Sequence, residues 1–136
     1  MKLEFNIASG DFSAAGKASS QIKKKLKQLQ VDSKVIKRIV VAIYEAEVNV
    51  VAHSVGGRMV AEIDGNGITV VVKDDGPGIE DINKAMQKGF STASKEVRNM
   101  GFGAGMGLPN IKKNTDEFEI VSEVGVGTTL TFRNKF

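Results

Sequence analysis

The run Asp74-Asp75-Gly76-Pro77-Gly78-Ile79 and, beyond a polar segment that holds Gly89-Phe90-Ser91-Thr92-Ala93-Ser94, the run Gly101-Phe102-Gly103-Ala104-Gly105-Met106-Gly107-Leu108 decide how this chain is read. Glycine at this density costs backbone entropy. Lying between two apolar, strand-like runs, it answers a need for positive φ or for close approach of the backbone to a ligand. The stretch reads as a nucleotide pocket.

Working outward, residues 59–64 and 68–73 are two strands joined at Gly65-Asn66-Gly67, a hairpin turn, and the second strand delivers Asp74 to its end. A short helix over residues 79–88, a loop to about residue 103 and a helix over residues 105–114 follow. A last hairpin pairs residues 118–121 with 129–132 across Gly125-Val126-Gly127. Upstream, Leu3, Phe5 and Ile7 alternate with polar neighbours, which predicts a strand over residues 2–9. Ser9-Gly10-Asp11 ends that strand and caps a helix running to about residue 30, with Phe12, Ala15, Ala18, Ile22, Leu26 and Leu29 on its inner stripe. Asp32 or Ser33 caps a second, more apolar helix over residues 34–53, closed by Ser54-Val55-Gly56-Gly57. Strands with helices segregated to one face predict an α+β fold: a two-layer α/β sandwich built on a mixed sheet.

Composition removes whole classes of chemistry. The 136 residues, 41% of them hydrophobic, suit one compact domain over 1–136 with no linker or repeat. Zero Cys excludes disulfides and thiol catalysis, and a single His makes a His-rich metal site implausible. The longest apolar run is far shorter than the ~20 residues that span a bilayer, and the polar N-terminus is no signal peptide. A soluble, cytoplasmic protein with no membrane partner is the expectation. The net charge of +3 owes much to Lys23-Lys24-Lys25 and Lys27, read as the solvated face of a helix whose other side carries Ile22, Leu26 and Leu29. With no Trp and one Tyr there is no base-stacking platform, so nucleic acid is not expected as a partner.

On the second helix Glu45, Asn49 and His53 stand at i, i+4 and i+8, one polar row on an apolar element. Taken alone, such a row suits a solvated edge; the glycine boxes downstream favour a site. Here the sequence resembles a known family. Glu45-Ala46-Glu47-Val48-Asn49 is similar to its N box, Asp74-Asp75-Gly76-Pro77-Gly78 to its first glycine box, residues 101–108 to its second, and Gly125-Val126-Gly127-Thr128-Thr129 to its Gly-Thr element. Together these resemble the GHKL (Bergerat) ATP-binding fold of gyrase, histidine kinases and mismatch-repair ATPases, and four elements in order make the match specific. The closing run Gly107-Leu108-Pro109-Asn110-Ile111-Lys112-Lys113 is especially similar to the switch-protein and anti-sigma serine kinases of bacterial stress signalling.

That resemblance implies ATP as ligand, with Mg, and a small antagonist-type protein as phosphoryl acceptor. Asp74 would accept a hydrogen bond from the adenine amine, Gly76 and Gly78 would let the backbone pass the base, and Thr128 would contact adenine or remain an ordinary strand Thr. Asn49 would be the metal ligand, since a neutral amide oxygen suits Mg²⁺. Glu45 would be the general base. Gly101, Gly103, Gly105 and Gly107, with Leu108, would turn backbone amides toward phosphate or mark a lid that orders on nucleotide. Roles for Glu47, His53, Ser91, Thr92, Ser94 and Lys112 stay open, and Tyr44 departs from the small residue that relatives carry before the base. The leading expectation is a Mg-ATP-dependent serine/threonine protein kinase in transcription regulation. The alternatives are an anti-sigma factor that sequesters a sigma subunit under ATP control, an autonomous ATPase, and a nucleic-acid binder.

Overall fold

Alternation of apolar and polar side chains along five segments builds one sheet, and a helical layer closes one of its faces. The computed structural model describes residues 1–8, 10–11, 15–53, 56–76, 78, 82, 86 and 107–136. Strands β1 (Lys2–Ala8), β2 (Gly56–Ile63), β3 (Gly67–Asp74), β4 (Glu117–Glu123) and β5 (Gly127–Lys135) stand in the order β1-β2-β3-β5-β4. Helices α1 (Lys17–Gln28), α2 (Ser33–His53) and α3 (Gly107–Lys113) complete the described elements. The α+β sandwich is the one expected, but among the described residues its sheet is not mixed: all four strand pairings there are antiparallel. The path through α1 and α2 returns the chain to lie beside β1 in the opposite direction, and β5 reaches β3 as the second arm of a hairpin.

Register follows from burial. Met59, Ala61 and Ile63 of β2, Ile68, Val70 and Val72 of β3, and Leu130 and Phe132 of β5 all point to the helices and are buried. The opposite face carries Thr69, Val71, Lys73, Thr131 and Arg133, none of them fully buried. A one-residue slip would exchange these two sets, so the pattern fixes the pairing. The β2–β3 turn is held by Asp64, whose Oδ1 accepts from the amides of Asn66 at 2.7 Å and Gly67 at 2.9 Å.

α2 is the centre of the helical layer. Its Val and Ile residues are mediocre helix formers, and burial overrides that weakness: Ile39, Ala42, Ile43 and Ala46 are fully enclosed. Asp32 rather than Ser33 caps its start, Oδ1 accepting from the Lys34 amide at 2.8 Å.

α1 departs from the sequence reading at its start. It begins at Lys17, not near residue 12, because Gly16 sits in the left-handed region at φ 97° and interrupts any helix arriving from upstream. Of the residues assigned to that first turn, Ser9 and Phe12 lie outside the described residues. The far end is a Schellman motif: Gln30 at φ 60°, its amide donating to the Lys27 carbonyl at 3.1 Å and the Val31 amide to the Leu26 carbonyl at 3.2 Å. That turn swings Leu29 outward, 45% exposed, off the inner stripe where periodicity placed it. Among the described residues no helix is long and apolar enough to cross a membrane.

Candidate functional site

Side chains four apart on a helix share a stripe, whereas two apart they diverge by about 200°. α2 uses both relations. Glu45 and Asn49 face α3: a Cβ built on Gly107, the first residue of α3, would lie 3.6 Å from Glu45 Oε2 and 3.9 Å from Asn49 Oδ1. The structure therefore brings together three residues separated by up to 62 positions, with Glu45 and Asn49 both half-buried. Burial pushes the Glu45 carboxyl above the ordinary carboxylate range, and a hydrogen bond from the Asn110 side chain, one turn into α3, partly offsets that push.

Glu47 turns the other way. It is 3% exposed, and its carboxylate accepts from the amides of Gly16 and Ala18 at 3.2 Å each and of Ser19 at 3.0 Å. The first turn of α1, which has no side-chain cap of its own, is thus capped by a residue from α2. The second carboxylate of the N-box turn is a structural anchor. A cavity of about 440 Å³ opens beside it between β1 and α1, lined by Phe5, Ile7, Lys17 and Gln21 among others. Glu45 and Asn49 do not line it.

The strand ends form the other half of the site. Asp74 ends β3 on the helix-facing side, opposite Thr128 of β5, and Thr128 is in turn opposite Ser122 of β4. Thr128 is buried, with its Oγ1 2.8 Å from Ser122 Oγ. Asp74 Oδ1 accepts from the Gly76 amide at 2.9 Å, an Asx turn at the start of the first glycine box. Two glycines here have identifiable steric reasons. At Gly127, φ is 145° and a Cβ would overlap the Asp74 carbonyl oxygen, so β5 can approach β3 only with glycine at this position. At Gly78, φ is 78° and a Cβ would sit 2.7 Å from the Glu123 carbonyl carbon, so this glycine is required by the β4–β5 hairpin lying against it. α2 closes over the same corner: a Cβ on Gly57 would meet Val50 Cγ1 and Asp74 Cβ, each at 3.2 Å.

The remaining expected site residues divide. Gly76 is buried at the turn. Leu108 is buried in the hydrophobic core, so its side chain serves packing and only its backbone is available to a ligand. Lys112 is exposed in the last turn of α3. Gly101, Gly103, Gly105, Ser91, Thr92, Ser94 and the His53 side chain lie outside the described residues. Sequence reasoning gave no role to Asn110 or Ser122. An amide three residues past the last glycine of the second box was the available signal for the first, and the Ser122–Thr128 register for the second.

The donor set has a definite chemistry. Among the described residues no three His, Cys, Asp or Glu converge as a metal cage. A single neutral amide oxygen, Asn49 Oδ1, stands beside one carboxylate; that fits a magnesium ion which keeps its waters and takes phosphate oxygens as its other ligands.

Comparison with known proteins identifies the family and the fold. The family model for the histidine kinase-like ATPase domain matches residues 10–134. The chain is 37% identical over 97 residues to the serine/threonine-protein kinase RsbT of Bacillus subtilis (strain 168), covering 68% of this chain and 67% of that one. It is 40% identical over 106 residues to the anti-sigma F factor of Thermoanaerobacter sp. (strain X514), covering 74% and 71%. Among solved structures, the RsbU and RsbW domains of Rv1364c from Mycobacterium tuberculosis superpose with a TM-score of 0.66 at 22% identity, covering 98% of this chain and 31% of that chain. The SiaB-SiaC complex from Pseudomonas aeruginosa gives a TM-score of 0.56 at 13% identity, covering 98% and 89%. At such identities these two structures speak to the fold.

Proposed function

The chain belongs to the histidine kinase-like ATPase domain family, and from that premise we propose that it is a cytoplasmic Mg-ATP-dependent serine/threonine protein kinase of the switch or anti-sigma type. Its substrate is a small antagonist-type protein, and its setting is transcription regulation. The observation that carries this reading is the convergence of Glu45 and Asn49 on the first residue of α3, with the Glu45 carboxyl held above its ordinary range by burial. A carboxylate raised toward working pH is the better general base.

Adenine takes the corner between Asp74 and Thr128, where a carboxylate oxygen of Asp74 accepts from the exocyclic amine and rejects a carbonyl at that position. The glycines at 76 and 78 and those at 101, 103, 105 and 107, with the backbone of Leu108, carry the chain around the nucleotide. Asn49 Oδ1 would be the protein ligand of magnesium, which would neutralise phosphate charge. Glu45 accepts the proton of the partner's serine or threonine hydroxyl as that oxygen attacks the γ-phosphorus and the bond to ADP breaks.

The test is incubation of the purified protein with Mg-ATP and small antagonist-type proteins, read by intact mass. One added phosphate on the partner is expected. Glu45→Ala should abolish the transfer and leave ATP affinity near normal; equal loss of both would remove Glu45 from the role of base. A second reading, sequestration of a sigma subunit with ATP choosing the partner, is favoured by the 40% identity to an anti-sigma F factor. Co-purification with a sigma factor, without partner phosphorylation, would select it.

A further inference from the structure

We propose that the helical hairpin of α1 and α2 is a docking surface for an acidic face of the protein partner, separate from the corner that takes the nucleotide. The proposal rests on the reading of this chain as a protein kinase and names the chemistry that holds its partner. Residues 17–38 hold eight of the 19 Lys and Arg and one of the 16 Asp and Glu, a net +7 that leaves the rest of the chain at −4. Lys23, Lys24, Lys27, Lys34 and Lys37 are exposed. Of those eight cations only Arg38 meets an acid among the described residues, Asp116 at 3.3 Å.

Helix stability does not account for this charge. Lys23 and Lys24 each repel Lys27 across one turn of α1. Lys34 and Lys37 stand at the start of α2, where the helix dipole disfavours cations and the first turn holds no acid. Only the last turn of α1, with Lys25 and Lys27, gains from its dipole. Between the two helices Leu29, 45% exposed, offers an apolar side chain in the midst of the cations. An apolar contact rimmed by unpaired positive charge fits a protein whose facing surface is acidic. It does not fit a bilayer, because Ile22 and Leu26, the apolar stripe of α1, are enclosed in the core. A nucleic acid backbone would use the lysines and leave Leu29 without a role. Lys37 precedes Glu45 by eight residues, about 12 Å along α2. Docking there holds the partner near the transfer site without touching the nucleotide.

The test measures binding rates of the small antagonist-type proteins to the full chain in Mg-ADP, over a range of salt. In a triple variant carrying Lys23→Glu, Lys24→Glu and Lys27→Glu, the association rate should fall about tenfold at low salt and lose most of its salt dependence, while ATP affinity holds. Lys→Gln at the same three positions should act in the same direction by less, and Leu29→Ser should speed dissociation. Unchanged partner binding in the folded triple variant would overturn the proposal, as would antagonist-type proteins that do not bind the unaltered chain at all. The same variant is set against a short DNA duplex, phosphatidylserine vesicles and, by sedimentation, a second copy of the chain. Loss of any of these contacts with partner binding intact would give the surface to that occupant and also overturn the proposal. Failure of the kinase reading shows separately, as a partner that binds through these lysines and gains no phosphate from Mg-ATP.

Discussion

Glu45 sits where two influences oppose each other: burial favours its neutral form and the Asn110 amide its charged form, with burial the larger. The sign of the stability effect follows. A carboxyl whose folded pKa exceeds its unfolded value binds protons more readily in the native state, so stability falls as pH rises from the ordinary carboxylate value through the folded one. At neutral pH the charged Glu45 is a net cost to the fold. Glu45→Gln should therefore raise the midpoint of thermal unfolding at pH 7, with the gain vanishing in acid, while transfer activity is lost. A melting point equal to the parent's at both pH values would contradict the burial argument. Two residues along, Glu47 has the opposite fate despite an identical side chain. Nothing local distinguishes them; the turn of the helix sends one to α3 and the other to three backbone amides of α1.

At the scale of elements, the most exposed liability is the start of α1. Its cap comes from another helix, so Glu47→Ala leaves three amides without their acceptor, two of them buried. A loss of about 2–3 kcal/mol is expected from chemical denaturation, the size of hydrogen bonds to a charged group. A loss under about 0.5 kcal/mol would mean that water replaces the carboxylate freely. The meeting of β3 and β5 is equally specific. Gly127→Ala forces a side chain into the Asp74 carbonyl at a φ that L residues avoid, and should cost more than 1 kcal/mol. Because the same contact seats Thr128 beside Asp74, ATP affinity should fall as well, measured by calorimetry. Stability lost with affinity intact would place adenine elsewhere.

At the scale of the whole molecule, the sheet order β1-β2-β3-β5-β4 carries the design. β5 inserts between β3 and β4, so the Gly-Thr element arrives beside Asp74 while α3 returns against α2. A ligand that spans both corners ties the central strands to the helical layer and stabilises the whole fold. Mg-ATP at a hundred times its dissociation constant should add about 2.7 kcal/mol of stability, seen as a raised melting point. Asn49→Ala should need more Mg-ATP for the same rise, and an unchanged concentration dependence would take Asn49 out of the metal site.

Local patterns determined a good deal. Period-two alternation located β1, apolar spacing at three and four located α2, and Gly65-Asn66-Gly67 and Gly125-Val126-Gly127 located the two hairpins, because each depends on neighbours within a few residues. The residues 45, 49, 74, 107 and 128 were legible as candidates because they recur, in order, in the boxes that carry the family resemblance, and their roles are the proposal made above. Only the tertiary structure decided the rest: the antiparallel sense of the β1–β2 and β3–β5 pairings, the start of α1 at Lys17, the outward turn of Leu29, the burial of Leu108, and the opposite directions taken by Glu45 and Glu47. The two ends of α1 turn on left-handed backbone at Gly16 and Gln30, which no apolar period records. The others depend on a contact between segments far apart in sequence, and such a contact leaves no period in the chain, only a hydrogen bond or a steric limit in the folded molecule.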